Sequence, residues 1–312
     1  MTLAPAEYYG VDADLGSLSP GKVADVVFLE DLASMDVRRV MVDGELVVDG
    51  GEWLPADRRP AHALPSVGDH TETVRAAFPE SARDTVRGTP PEPDAFRIDA
   101  PTDDGGDPVD RVTVEAIVAR ENRADTGRTT VELPVVDGAV AIPADVDVAK
   151  AFVFDRHDPD GSAGFGFATG FDFERGAVAS TVAHDSHNLL VVGRDDAAMA
   201  RAAERLHETG GGMVAVDGAA STVAGAADAS ERPVLATVPL PVAGLMSDRP
   251  LATVTDQVDA LHDAWRDLGC DLESPFMTLS LLALPVIPAL RVTARGVVDV
   301  TAFEFVDPVR PV

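Results

Sequence analysis

The sequence predicts a mixed α/β fold, in which a small antiparallel β unit precedes a larger α/β domain with a substantial sheet. Short apolar runs of strand length recur along the chain, and Asp-Gly dipeptides separate several of them. Two long helical patterns alternate with strands after about residue 188. With 312 residues and 46% hydrophobic content, the chain can bury the core of one large domain or of two.

The small β unit is predicted over residues 1–55. A Pro-Gly turn at Pro20 precedes an apolar strand from Val23 to Leu29. Two alternating strands follow, joined at Asp43-Gly44, a dipeptide that favours a two-residue hairpin because both central residues need positive φ. So few strands are marginally stable alone, and we expect this unit to pack on another element.

A Pro-rich, acidic segment over residues 56–110 is predicted to be a linker, or a strap that wraps the surface. Only a helix around Glu72 to Phe78 and a strand from Phe96 to Ile98 are expected within it. The larger domain is then predicted over residues 111–312.

In the larger domain, strands are predicted first and helices later. A second Asp-Gly turn is expected at Asp137-Gly138, and a glycine-rich bend over Gly161 to Phe171. The predicted strands are Arg111–Ala119, Thr129–Val136, Ala139–Pro143, Ala149–Asp155, Leu189–Val192 and Met213–Val216. The predicted helices are Asp195–Thr209, with an acidic first turn and a Gly210 stop, and Thr253–Leu268.

Composition narrows the class of protein. The formal net charge of -28 argues against nucleic acid or an anionic membrane as partner. Lys22 and Lys150 are the only lysines, and this acidic, lysine-poor composition is typical of a salt-adapted, halophilic surface. The single cysteine, Cys270, excludes an intramolecular disulfide. Without a leader or a long apolar run, we expect a soluble cytoplasmic protein.

The densest chemistry lies in the stretch TVAHDSHN, from Thr181 to Asn188. His184, Asp185 and His187 are the candidate catalytic residues, and Asn188 is a candidate for substrate binding. With His157 upstream, these side chains can bind a divalent metal, act as acid and base, or form a hydrogen-bonded structural turn. Spacing alone leaves all three interpretations open.

Other stretches carry weaker signals. The run GSAGFGFATG lacks the GK[ST] ending of a phosphate loop and is interpreted as a close-packed bend. Ser247 and Asp248 can reach a ligand or cap a helix. Prolines divide the apolar stretch from Ser274 to Thr293, so it is not one continuous helix. Its core residues are predicted to be Phe276, Met277, Leu279 and Leu284.

Four long motifs, in order, resemble one known family. They are GSLSPGKVADVVFLEDL, HDSHNLLVVG, LPVAGLMSD and PFMTLSLLALPVIPALRVT. Together they are similar to the C-terminal half of microbial adenine deaminases, which belong to the amidohydrolase superfamily. The opening TLAPAEYYG resembles the piece that follows the catalytic barrel in such enzymes. Two departures are Ala289 and Ala294, where the family tends to carry acidic residues.

The resemblance implies hydrolysis of adenine to hypoxanthine and ammonia, a step of purine salvage. It also implies a divalent metal, usually manganese, that activates water in the complete enzyme. The family's metal ligands lie on a barrel that would precede Met1, and this chain contains no His-x-His. We therefore expect no metal ligand and no strongly bound metal on this chain alone, and a truncated or split gene product.

Three hypotheses follow for the chain. It is the C-terminal part of an adenine deaminase that needs a separately encoded barrel chain, or a non-catalytic remnant that acts as a binding or structural module. The third hypothesis is an independent hydrolase with its own metal site near His157 and His184. Adenine is the expected substrate of the complete enzyme, and a homo-oligomer is expected.

Overall fold

The computed structural model describes residues 2–54, 80–83, 85–102, 105–158, 160–218 and 233–312. The chain divides into two compact units, Met1–Thr73 and Val74–Val312. This division falls inside the segment predicted as a linker. The helix predicted around Glu72 to Phe78 lies outside the described residues.

In its described residues, 2–54, the first unit contains one helix and a four-stranded antiparallel sheet. The strands follow one another in chain order across the sheet. The predicted Asp43-Gly44 hairpin is confirmed, with φ of 50° and 82° at its two turn residues. The elements are α1 (Leu3–Tyr9), β1 (Val26–Leu29), β2 (Val37–Val42), β3 (Glu45–Asp49) and β4 (Glu52–Trp53).

The second unit is built on a ten-stranded sheet. Its strands are β5 (Arg111–Val118), β6 (Gly127–Val136), β7 (Ala139–Val140), β8 (Ala149–Phe154), β9 (Ala163–Thr169), β10 (Ala177–Ser180), β11 (Leu189–Gly193), β12 (Gly212–Val216), β13 (Val234–Pro239) and β17 (Val309–Pro311). The order is β13-β12-β10-β11-β8-β9-β5-β6-β7, with β17 paired to β5. Pairing is antiparallel except between β5 and β9.

Both faces of the central strands of this sheet, β8, β10 and β11, are buried. Alternate residues of β11 point to opposite sides, so Leu189 and Val191 belong to one hydrophobic cluster and Leu190 and Val192 to another. The first cluster includes α2 (Asp196–Thr209). The second includes α3 (Leu251–Asp267), α4 (Pro275–Leu281) and a small antiparallel sheet of β14 (Leu290–Thr293), β15 (Gly296–Asp299) and β16 (Glu304–Val306).

The mixed α/β class predicted from sequence is confirmed, and so are its strongest elements. The predicted helix at Asp195 begins one residue later, because Asp195 is its N-cap and accepts a bond from the Ala198 amide at 2.7 Å. The helix ends at Thr209, followed by Gly210 in the left-handed conformation. Within the described ranges, no helix combines the length and apolar character needed to cross a bilayer.

The glycine-rich bend predicted over Gly161 to Phe171 is wrong, because most of it forms strand β9. A Cβ on Gly164 would lie 2.2 Å from the Thr293 carbonyl oxygen, and one on Gly166 would lie 2.6 Å from a Val297 methyl carbon. These glycines therefore allow the small sheet to pack directly against β9.

Two further predictions are corrected. The strand predicted at Phe96 is wrong, since Pro93–Phe96 forms a short 3-10 helix with proline in its first turn. A further 3-10 helix spans Glu80–Ala82. Met277 is 54% exposed and not a core residue, because α4 buries Leu279 and turns Met277 away. Leu284 is buried as predicted.

Candidate functional site

The stretch with the two histidines forms the loop between β10 and β11, residues 181–188. Its backbone is tied at two points. The His184 amide donates to the Ser280 carbonyl at 3.2 Å, and the His187 amide donates to the Ala183 carbonyl at 2.7 Å. His187 has φ of 51°, in the left-handed region that non-glycine residues rarely adopt. The surrounding contacts therefore hold the loop in one specific conformation.

Arg156 is the main anchor of this loop. Its side chain is 2% exposed and donates to the carbonyl oxygens of His187, Thr85 and Ala243, and to the Thr85 hydroxyl. Burial lowers the pKa of the guanidinium group. A Cβ on Gly244 would lie 2.9 Å from the guanidinium carbon, so glycine leaves room for it. Arg156 thus fixes three chain segments at one point.

Thr181 makes a second connection beneath the loop. Its hydroxyl donates to the Gly244 carbonyl at 2.6 Å and accepts from the Gly212 amide at 2.8 Å. The two stretches predicted to carry function, HDSHN and LPVAGLMSD, are therefore held side by side. Their proximity follows from Arg156 and Thr181, which sequence analysis did not single out.

Ser247 and Asp248 lie at the far end of the second stretch and have protein partners. Asp248 is 7% exposed, and its Oδ2 accepts from Arg83 at 3.0 Å. The Ser247 hydroxyl accepts from the Arg249 amide at 3.1 Å. The N-cap of α3 is Pro250, so neither residue caps that helix. Their roles in substrate binding stay predictions.

The two imidazoles of the loop lie edge to face, with ring centroids 5.9 Å apart. Among the described residues, the Nδ1 atoms of His184 and His187 are buried without a hydrogen-bond partner. Burial, together with the nearby His184, lowers the pKa of His187. His157 reaches the loop from outside, with Nε2 3.1 Å from the Ser186 carbonyl oxygen. The structure therefore brings the three predicted histidines to one loop.

This arrangement does not fit a metal centre. Nowhere in the ranges that the structure describes do three or more His, Cys, Asp or Glu side chains converge so that they could hold a metal ion. Catalytic zinc sites, for example, take three protein ligands of this kind. The described residues of the histidine loop therefore do not by themselves supply the ligand set of such a site.

A cavity of about 570 Å³ opens beside the loop. The loop contributes Asp185, Ser186 and Asn188 to its wall. The rest of the lining comes from β8, β9 and the residues next to them, from the segment that follows α4, and from the small sheet with its connecting turns: Val153, Asp155, Ser162, Ala283, Pro285, Val292, Thr293, Ala294, Arg295, Val298 and Phe305. Sequence reasoning missed Asp155, Ser162, Arg295 and Phe305, because only strand register brings them to one place.

Comparison with known proteins gives two family matches. The family model described as adenine deaminase C-terminal domain matches residues 124–304. A model of the amidohydrolase family matches residues 1–47. The two matches fall in different units of the structure.

Relatives named adenine deaminase align with nearly all of the chain. One from Moorella thermoacetica is 46% identical over 308 residues, which are 98% of this chain and 46% of the relative. One from Clostridium botulinum is 41% identical over 98% of this chain and 45% of the relative. One from Rubrobacter xylanophilus is 40% identical over 96% of this chain and 44% of the relative. The chain thus spans about half the length of these curated relatives.

Proposed function

This chain belongs to the adenine deaminase C-terminal domain family, and from that premise we propose that it is the C-terminal part of an adenine deaminase. The reaction is hydrolysis of adenine to hypoxanthine and ammonia, and the complete enzyme needs a metal-binding barrel supplied by another chain. The observation that carries the proposal is that relatives named adenine deaminase align with 98% of the chain at 41–46% identity.

In this proposal the loop of residues 181–188 supplies hydrogen bonds and proton transfer at the substrate. Burial lowers the pKa of His187, so its ring is neutral near neutral pH, and a neutral imidazole is the form that can accept a proton. Asp185 is exposed and can accept hydrogen bonds from a bound base. The divalent metal that generates the nucleophile in the family is assigned to the barrel, since the donor set described here does not fit one.

The proposed contact with the barrel chain lies on the first unit. Several large apolar side chains there are exposed: Tyr8 by 84%, Leu32 by 84%, Trp53 by 65% and Val27 by 57%. Exposed apolar groups of this kind are typical of protein-protein interfaces. We assign this surface to the barrel because the amidohydrolase model matches residues 1–47, which contain Tyr8, Val27 and Leu32.

The experiment is reconstitution. The purified chain is mixed with a barrel chain encoded next to it, in the presence of manganese, and ammonia release from adenine is measured. We expect release only when both chains are present. Absence of activity in the complete mixture would contradict the proposal.

A matched pair of variants tests the loop in the same assay. The double variant His184→Ala, His187→Ala is expected to lower activity by at least about tenfold. This is a lower bound, because a general acid-base catalyst usually contributes more than about tenfold. Arg123→Gln, on an exposed arginine, is expected to leave it unchanged. Equal activities of the two variants would remove the loop from the mechanism.

The second candidate is a non-catalytic binding or structural module. The observation that favours it is the donor set, which does not fit a metal within the described residues. Under this candidate the mixture stays inactive, while the exposed apolar surface of the first unit makes the isolated chain self-associate.

A further inference from the structure

Strand register explains why polar groups line the cavity beside the histidine loop. Leu189 of β11 pairs with Phe154 of β8, and Phe154 pairs with Ala163 of β9. One residue beyond each pair, Asn188, Asp155 and Ser162 stand in a row across three neighbouring strands. They share a face with Val153 and Leu190, which face the small sheet. The row therefore points into the space between the two sheets.

The opposite wall of the cavity is apolar, and two planar groups lie at its end. Val292, Ala294 and Val298 of the small sheet line it. At the mouth, the Arg295 guanidinium lies 5.3 Å from the centroid of the Phe305 ring. Two stacked planar groups present a flat surface on which an aromatic ring can stack.

Asn188 is the strongest sign that the cavity receives a ligand. Its side chain is only 8% exposed, and within the described part of the chain its Oδ1 atom has no hydrogen-bond partner. A buried polar atom without a partner destabilises the fold unless a ligand or water supplies a bond. Asn188 borders the cavity, so the missing donor has room to enter there.

We propose that this cavity, walled by Asn188, Asp155 and Asp185, binds a planar nitrogen heterocycle that bears an amino group. The polar wall is dominated by acceptors, two carboxylates and one amide oxygen, which require N–H donors on the ligand. The same carboxylates repel anions. The apolar wall and the stacked pair at Arg295 select a flat ring over a flexible chain. A volume of about 570 Å³ accommodates one or two such rings.

The choice of adenine as probe rests on the proposed function, whereas the site rests on the geometry of this chain alone. The inference adds that this unit itself holds the amino-substituted base, without the barrel. Ammonia release with the barrel chain tests the function, and adenine binding to the single chain tests the cavity. Either experiment can fail while the other succeeds.

The test is calorimetric titration of the full chain with adenine, hypoxanthine and benzylammonium. We expect saturable binding of adenine at one site per chain. Hypoxanthine, in which oxygen replaces the amino group, is expected to bind about tenfold more weakly, because the acceptors lose a donor. Benzylammonium, a cation on a flexible arm, is expected to bind more weakly than adenine as well.

Matched variants locate the site. Asp185→Asn changes an exposed residue of the cavity wall, and Asp160→Asn changes an exposed aspartate that does not line the cavity. We expect the first to weaken adenine binding about tenfold and the second to change it less than about twofold. Asn188→Leu should abolish adenine binding. If that variant fails to fold, the site can be located in the unaltered chain instead, where adenine is expected to shift the NMR signal of the Asn188 side-chain amide.

Three results would overturn the inference. The first is absence of saturable adenine binding to the folded chain. The second is equal affinity of the D185N and D160N variants. The third is hypoxanthine or benzylammonium binding as tightly as adenine, which would show that the site does not select an amino-substituted ring.

Discussion

At the scale of single residues, Arg156 decides the conformation of the candidate site. Its guanidinium donates to carbonyl oxygens on three chain segments, at Thr85, His187 and Ala243. Lysine cannot make the same set of hydrogen bonds, because all its donor hydrogens are on one nitrogen atom. Arg156 is therefore a positioning residue for the loop of residues 181–188.

Arg156→Met is expected to lower the free energy of unfolding by about 3 kcal/mol, because several buried carbonyl groups lose their donors. Urea denaturation measures the change. The matched control is Arg123→Met, since Arg123 is 60% exposed and paired with Asp125 on the surface. The control should lose less than about 1 kcal/mol. Equal losses in the two variants would contradict the anchoring role.

Two partly buried histidines, His187 and His207, predict a dependence of stability on pH. Burial lowers the pKa of His187 and of His207 below the ordinary value of 6.5. The unfolded chain then binds protons more readily than the folded chain. The free energy of unfolding should be highest above pH 6.5 and should decline as the pH falls from there toward the folded pKa values.

Denaturation at a series of pH values between about 7 and 5 checks this sign, because histidine titrates in that interval. Glu115, whose pKa is lowered from 4.5 mainly by a hydrogen bond from Arg128, stays ionised there. His187→Asn keeps a residue that tolerates positive φ and should flatten the decline. A slope that is unchanged or steeper in that variant would count against the assignment.

At the scale of elements, close packing between β9 and the small sheet depends on glycine. Gly164 faces the backbone of Thr293 and Gly296, where a methyl group would meet atoms at 2.2 and 2.3 Å. Main-chain atoms cannot move aside as the end of a long side chain can. The small sheet is therefore held against the wall that also forms the cavity.

Gly164→Ala is expected to destabilise the protein by about 3 kcal/mol and to weaken ligand binding in the cavity, because the two sheets are forced apart. Gly127→Ala is the matched control. Its Cβ would lie 3.0 Å from the end of the Arg120 side chain and 3.0 Å from the Cβ of Val118. Thermal unfolding measures the loss of stability in both variants. If the control loses as much stability as G164A, the close packing at Gly164 is not the cause.

For the molecule as a whole, the stability depends strongly on the net charge. With a formal charge of -28, carboxylates repel one another across the surface. Salt shortens the screening length from about 10 Å at 0.1 M to about 3 Å at 1 M. The composition therefore predicts a protein that is most stable in concentrated salt.

We expect the midpoint of thermal unfolding to rise by several degrees, on the order of 5 °C or more, when KCl is raised from about 0.1 M to about 2 M. Neutralising three exposed acids, as in D259N, D267N and E273Q, should make the rise smaller. Calorimetry in a KCl series measures both. A midpoint independent of salt, or identical slopes for the two proteins, would argue against charge repulsion as the cause.

Local sequence determined much of this fold. The Asp43-Gly44 turn, the Asp195 cap and the continuous apolar run of β11 are decided by neighbours within a few residues, through φ preferences, capping and strand propensity. The histidine loop was recognisable for the same reason, since its chemistry lies within eight consecutive positions, Thr181 to Asn188. The family likewise followed from long continuous motifs.

Features that depend on distant parts of the chain follow from long-range contacts in the folded protein. Gly164 and Gly166 lie in strand β9, where the small sheet packs directly against them. No local sequence pattern encodes that contact. Arg156 became an anchor because residues 85, 187 and 243 converge on it. The cavity exists because register aligns Ser162, Asp155 and Asn188 across three strands. Contacts between distant segments fix such features, so their residues look ordinary until the chain has folded.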